Sequence, residues 1–316
     1  EPLVQALGAE MGPLLAEAVA RALRRLLQEL ERSPQDREAQ WMGLYLLRRF
    51  WHSGPSIRGV LGAHKDAVLQ VLGRGVREHQ TDACLQSEAM WLLFEIGGLA
   101  ALLEIMLVFG QSSSVIRPCL RQIKERCQDK AVWWEWLQQP WERTLQPLLV
   151  AMETHPHDNE FLGEALWFLQ DFLWDPSFRD AFGSRGGWPV VVGTMKANPS
   201  HRDVQFAGCR AIVGLGTRGG SWGVQWEEQA AAAVCSAVQA HSQDAELLRW
   251  AFWALKEVNG VGALLQLLHQ DARSMDLKLA TAIFSSLSEL PWGQADSLDA
   301  AAACQVVERA TVWLRQ

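Results

Sequence analysis

Three pairs at helical spacing carry the most suggestive chemistry in this chain: Trp91 with Glu95, Trp167 with Asp171, and Trp253 with Glu257. Residues i and i+4 share one face of a helix. An indole beside a carboxylate suits a Lys or Arg side chain, because cation–π contact contributes about 0.5–2 kcal/mol and a charge-assisted hydrogen bond adds to it. Trp41, followed at the same spacing by Tyr45, extends the series without an acid. At Arg121/Glu125, Arg210/Gly214 and Ser285/Glu289 the ring is missing. A plainer reading stands beside this one. Trp253 has Trp250 and Phe252 as neighbours and Trp167 has Phe168, so the rings could pack between helices while the acids are simply solvated.

A second aromatic group lies in the run Val132–Trp141. Helical spacing puts Trp133, Trp136 and Trp141 near one face and turns Trp134 away. This is either a partner patch, where Trp is favoured, or a packed linker helix. Gly214-Leu215-Gly216-Thr217-Arg218-Gly219 matches G-x-G-x-x-G, but the dinucleotide fingerprint needs a strand before it. A helical pattern precedes it here, so an inter-helix loop is expected. His155-Pro156-His157-Asp158 offers too few ligands for a metal and reads as a polar loop. No nucleophile–base grouping and no G-x-S-x-G, H-E-x-x-H, EF-hand or Walker pattern is present. The expectation is therefore a non-enzyme with no cofactor, no metal and no small-molecule substrate.

Composition narrows the partner class. The chain has 316 residues, 49% hydrophobic and 21% charged, with net charge −7 and 16 Trp against one Tyr. This is globular, and too acidic for a general phosphate-backbone binder, so no nucleic acid is expected. The most apolar stretch, Trp91 to Phe109, is cut by Glu95, Glu104 and Gly97-Gly98, which argues against a membrane span. Six cysteines without a C-x-x-C pair suggest reduced thiols in the cytoplasm or nucleus. The opening Glu1-Pro2-Leu3 carries no secretory pattern and suggests a piece of a longer protein or a processed one.

The elements that must hold these residues are helices in a repeating order. Leu148–Pro156 aligns without gaps on Val191–Pro199, an offset of 43, and a second equal step takes Met195 to Val238 and Ile212 to Leu255. Each unit reads as a short helix, a turn, a second helix, a loop and a third helix. Asp175-Pro176 starts the short one and Gly183 stops it. Gly186-Gly187-Trp188-Pro189 redirects the chain into a helix over 190–197, and Asn198-Pro199-Ser200 ends that helix. Val204, Ala207, Ala211 and Leu215 mark the buried stripe of the third. Pro55–Gly62 repeats the short helix, and Gly97-Gly98 and Gly219-Gly220 punctuate at comparable places. Alternating strand patterns are nearly absent.

The string Arg179-x-x-Phe182-x-x-x-Gly186-Gly187-Trp188-Pro189-x-x-Val192, followed by Val204-Gln205-x-x-Gly208-Cys209-x-Ala211-Ile212-x-x-Leu215, resembles an armadillo repeat. It is most similar to the divergent armadillo-like proteins of algae and dinoflagellates. The resemblance is best over 140–260 and looser over 33–140 and 260–292. It implies an all-α, right-handed α-solenoid of roughly six to seven armadillo/HEAT-like repeats over 33–292, with helical caps at 1–32 and 293–316. Unequal steps in the series suggest that two units lost the short first helix. Peptide-binding members of the family carry Trp-x-x-x-Asn on the third helix. The matching positions here place Trp41, Trp91, Glu95, Trp167, Asp171, Trp253 and Glu257 along a concave groove. An amide donates and accepts whereas a carboxylate only accepts, so this groove is expected to prefer a basic, extended protein segment. The competing expectation is a purely architectural segment of a larger assembly with no groove ligand.

Overall fold

A computed structural model describes residues 2–216 and 224–258. Every regular element among the described residues is a helix. In order these are α1 (Pro2–Arg32), α2 (Arg37–His52), α3 (Pro55–Ala63), α4 (Lys65–Glu78), α5 (Ala83–Gly97), α6 (Leu99–Val108), α7 (Ser113–Arg126) and α8 (Lys130–Leu137). There follow α9 (Trp141–Thr144), α10 (Gln146–Thr154), α11 (Asn159–Phe172), α12 (Pro176–Ser184), α13 (Gly187–Ala197), α14 (Arg202–Gly216), α15 (Val224–Ala240) and α16 (Ala245–Glu257). None is long and apolar enough to cross a membrane. The Gly219-Gly220 punctuation, the Ser285/Glu289 position, all of 260–292 and the cap at 293–316 lie outside the described residues.

Helix boundaries follow local chemistry. Asp36, Asp82, Asp129, Asp158, Asp175 and Asp244 each cap a helix by accepting backbone N–H bonds from its first turn. Gly98 and Gly186 turn the chain at φ 73° and 90°, a region that favours glycine. Helix α13 begins at Gly187, earlier than the expected 190, because Pro189 is tolerated in a first turn where its missing N–H has no helical partner. A Cβ at Gly187 would overlap the Phe182 ring, so this glycine is fixed by packing.

The chain divides into two compact units, 1–151 and 152–316. In the first, α2, α5 and α7 pack in sequence, backed by α1, α3, α4 and α6. In the second, α11, α14 and α16 pack side by side and α13 lies on α15. The core of the second unit includes a run of rings: Phe168, Phe172, Phe178 and Phe182, with centroids 4.7, 5.5 and 6.3 Å apart.

A glutamine clamp recurs where one helix hands over to the next. Gln40 Nε2 donates to the carbonyls of Leu30 and Ser33, Gln86 Nε2 to those of Val76 and His79, and Gln205 Nε2 to those of Met195 and Asn198. Each tethers carbonyls ten and seven residues back, at a helix C-terminus that has no intrahelical donor for them. Links also run between successive loops within each unit. In the first, His79 Nε2 meets the Pro34 carbonyl at 2.9 Å and Arg37 donates to Asp82 at 2.6 Å. In the second, Asn198 donates to the Pro156 carbonyl at 2.8 Å, His241 meets Pro199 O at 3.2 Å, and Arg202 donates to Asp244 at 2.7 Å. The Met195–Ser200 loop and its 43-residue mate Met152–His157 are thus directly joined.

Candidate functional site

In the first unit, Trp91 is half-buried on α5 and carries two cation-capable groups from α2. The Arg48 guanidinium lies 4.8 Å from the ring centroid, and the His52 ring is 5.3 Å away. Arg48 is held there by both oxygens of Glu88, at 2.5 and 2.7 Å. Glu95 is paired with Arg126 of α7 at 2.5 Å, and that guanidinium also covers Phe94 at 4.9 Å. Both members of the Trp91/Glu95 pair therefore meet arginines of this same chain.

The clamp glutamines set the phase of the series. Tyr45 and Trp91 each stand five residues after a clamp, at Gln40 and Gln86, whereas Trp41 stands one residue after. Tyr45 is thus the counterpart of Trp91, and Trp41 sits one turn earlier. Spacing alone gave Trp41 that place because aromatics stand at both positions. Trp41, Met42 and Tyr45 are all exposed.

Of the two readings open for Trp133, Trp136 and Trp141, burial favours the packed helix over the partner patch. Trp136 is 1% exposed, and Trp133 and Trp141 are half-buried, so this face of α8 packs inward. Trp134, on the opposite face, is the exposed ring at 57%. Helical spacing orders the side chains around the axis but does not say which side faces the core.

In the second unit the same series forms a continuous stack. The Arg210 guanidinium of α14 lies between two rings, 4.8 Å from Trp167 of α11 and 4.4 Å from Trp250 of α16. Phe206 flanks Trp167 at 5.4 Å. Trp250 continues onto Trp253 at 5.0 Å with planes only 11° apart. Trp253 is 41% exposed, and its indole N–H donates to Glu257 Oε1 at 3.1 Å. Asp171 is half-buried and accepts from the Gln170 amide at 2.6 Å. The structure thus links Trp167, Trp253 and Glu257 through Arg210 and Trp250. Sequence reasoning noted Arg210 only as a missing ring and Trp250 only as a neighbour of Trp253. The 43-residue step sets Arg210 between Trp167 and Trp253 in the series, and that was the available signal for Arg210, while Trp250 lies outside it.

The sequence matches no protein-family model and no curated protein.

The remaining candidates resolve into structural roles. A Cβ at Gly214 would press on Leu173, and one at Gly216 on the Glu257 Cβ, so the described part of the G-x-G-x-x-G string permits close helix contact. Residues 217–219 of that string lie outside the described residues. Asp158 caps α11 through the Phe161 N–H, and Pro156 offers its carbonyl to Asn198. Among the described residues no three His, Cys, Asp or Glu side chains are grouped to hold a metal ion. Burial pushes the thiols of Cys209 up to about 12 and Cys235 up to about 11; for Cys127, burial and then the Glu135 charge raise it to about 12. Burial also raises Cys119 strongly. Thiolate chemistry at these four positions is suppressed.

Proposed function

We propose that this chain is a non-enzymatic scaffold, an armadillo/HEAT-like α-solenoid of roughly six to seven repeats that binds an extended, basic protein segment on its third helices. The observation that carries the reading is the Trp253/Glu257 pair: an exposed indole whose ring is backed by Trp250 and whose edge holds a carboxylate. A Lys or Arg laid on the outer ring face would gain cation–π attraction and a charge-assisted bond to Glu257. Arg210, stacked on Trp167 and Trp250, already uses the neighbouring rings in the same way. Contacts of this kind are worth on the order of 0.2–1 kcal/mol each when exposed, so micromolar affinity requires several in series.

The architectural reading is favoured by one specific observation. Glu95 is paired with Arg126 and Trp91 is covered by Arg48, so that part of the series serves helix packing. The two readings separate in a titration of Lys/Arg-rich peptides against the chain and against Glu95→Gln, Asp171→Asn and Glu257→Gln combined. Salt-sensitive binding lost in the triple variant supports the groove. Equal affinity for both proteins, or no salt dependence, leaves the architectural reading.

A further inference from the structure

The outward face of α2 is unusual among the described helices. Trp41, Met42 and Tyr45 are 40%, 56% and 52% exposed and lie together at helical spacing. Among the described residues no cation covers Trp41 or Tyr45, unlike Trp91 and Trp167. The other faces of α2 are used against α1, α3 and α5. Exposed Glu38 stands on the same face one turn before the apolar group, and exposed Arg49 stands one turn after Tyr45. Arg37, next to Glu38, is already committed to Asp82, and Arg48, next to Arg49, to Glu88.

The face therefore reads acid, three large apolar side chains, base. That order is complementary to itself when reversed. In a two-fold contact, residue i meets j and j meets i. Two α2 helices laid antiparallel would place Glu38 against Arg49 at both ends, roughly 16 Å apart along the axis, and Met42 against Tyr45 in the middle. We propose that this face of α2 joins two copies of the chain, antiparallel, about a two-fold axis. One helix face is small beside the roughly 800 Å² per partner of a stable complex, so the dimer is weak, with a dissociation constant on the order of 10–100 μM.

The test is sedimentation of the full chain over a concentration series, alone and with the exposed-site variants Glu38→Arg and Arg49→Glu. The chain should show a concentration-dependent monomer–dimer equilibrium. Each variant by itself places like charges at both ends and should weaken dimerisation about tenfold or more. Mixed together, the two variants restore opposite charges at both ends, and a heterodimer should form with near-original affinity. Trp41→Ala/Tyr45→Ala should be monomeric with an unchanged helical circular dichroism spectrum. A chain that stays monomeric throughout overturns the proposal and leaves the face to a different protein. Dimers indifferent to the charge variants, or a mixture that fails to recover, overturn it equally.

Discussion

At the residue scale, stability and reactivity are set by a few buried partners. Gln205 is 1% exposed and its amide serves two carbonyls at the end of α13. Gln205→Leu strands both acceptors and should cost about 1–3 kcal/mol, read from the urea midpoint at unchanged slope. Arg210 acts as a cation between rings and also as packing volume. Arg210→Met keeps much of the volume and loses the charge; a loss of about 1–2 kcal/mol is expected, with Lys in between. Urea unfolding of the three proteins checks the order, and a Met variant as stable as the parent would show that the rings need only volume. Among the described thiols only Cys84 is exposed. Labelling of the native chain with a disulfide reagent should therefore lose one fast-reacting thiol on Cys84→Ala, while Cys119 and Cys209 react only on unfolding.

At the element scale, two N-cap aspartates, Asp82 and Asp244, join the start of their own helix to an arginine at the start of the helix packed beside it. The N–H of Leu247, the Arg202 side chain and the N–H of Glu246 hold the Asp244 carboxyl below its usual range, against the effect of burial. At Asp82, burial is the largest single influence and raises the pKa, but the N–H groups of Leu85 and Cys84 together with Arg37 outweigh it. Both folded pKa values lie below the unfolded value of about 3.9. The unfolded chain thus binds the proton first as pH falls. The contribution is complete above the unfolded pKa and is lost as pH drops through the folded one. Asp82→Asn and Asp244→Asn retain an oxygen cap but lose the pairing with arginine. Each should be about 0.2–1 kcal/mol less stable at pH 7, and the gap should close below about pH 4. Denaturant midpoints from pH 7 down to 3 measure this; a gap that widens in acid would reverse the sign of the argument.

At the scale of the whole molecule, the same residue pattern does different work in the two units. Glu95 is paired with half-buried Arg126, whereas Glu257 holds an exposed indole. Glu95→Gln should lower stability by about 1–2 kcal/mol, between surface and buried pairs, and leave affinity for a Lys-rich peptide unchanged. Glu257→Gln should do the reverse, weakening the peptide with little effect on unfolding. Paired denaturation and peptide titrations on the two variants decide it. Loss of affinity in Glu95→Gln would mean that Arg126 yields its carboxylate to a ligand.

Helix type, the Asp175 cap and the Gly186 turn are local properties of the chain, legible in the sequence because each depends on neighbours within about two turns; the 43-residue step was legible by comparing distant segments. Asp175-Pro176 starts α12, and the short helix at Pro55 has its expected place. Other features were decided by contacts between residues about 40 apart. Arg48 over Trp91 and Arg210 between Trp167 and Trp250 depend on where one helix meets the next, which no single-helix pattern encodes. The phase of Tyr45 against Trp41 became visible only through the clamp hydrogen bonds, since both positions hold rings. The inward turn of Trp136 is of the same kind: the order of side chains around α8 is local, but the direction of its buried face is set by what α8 packs on.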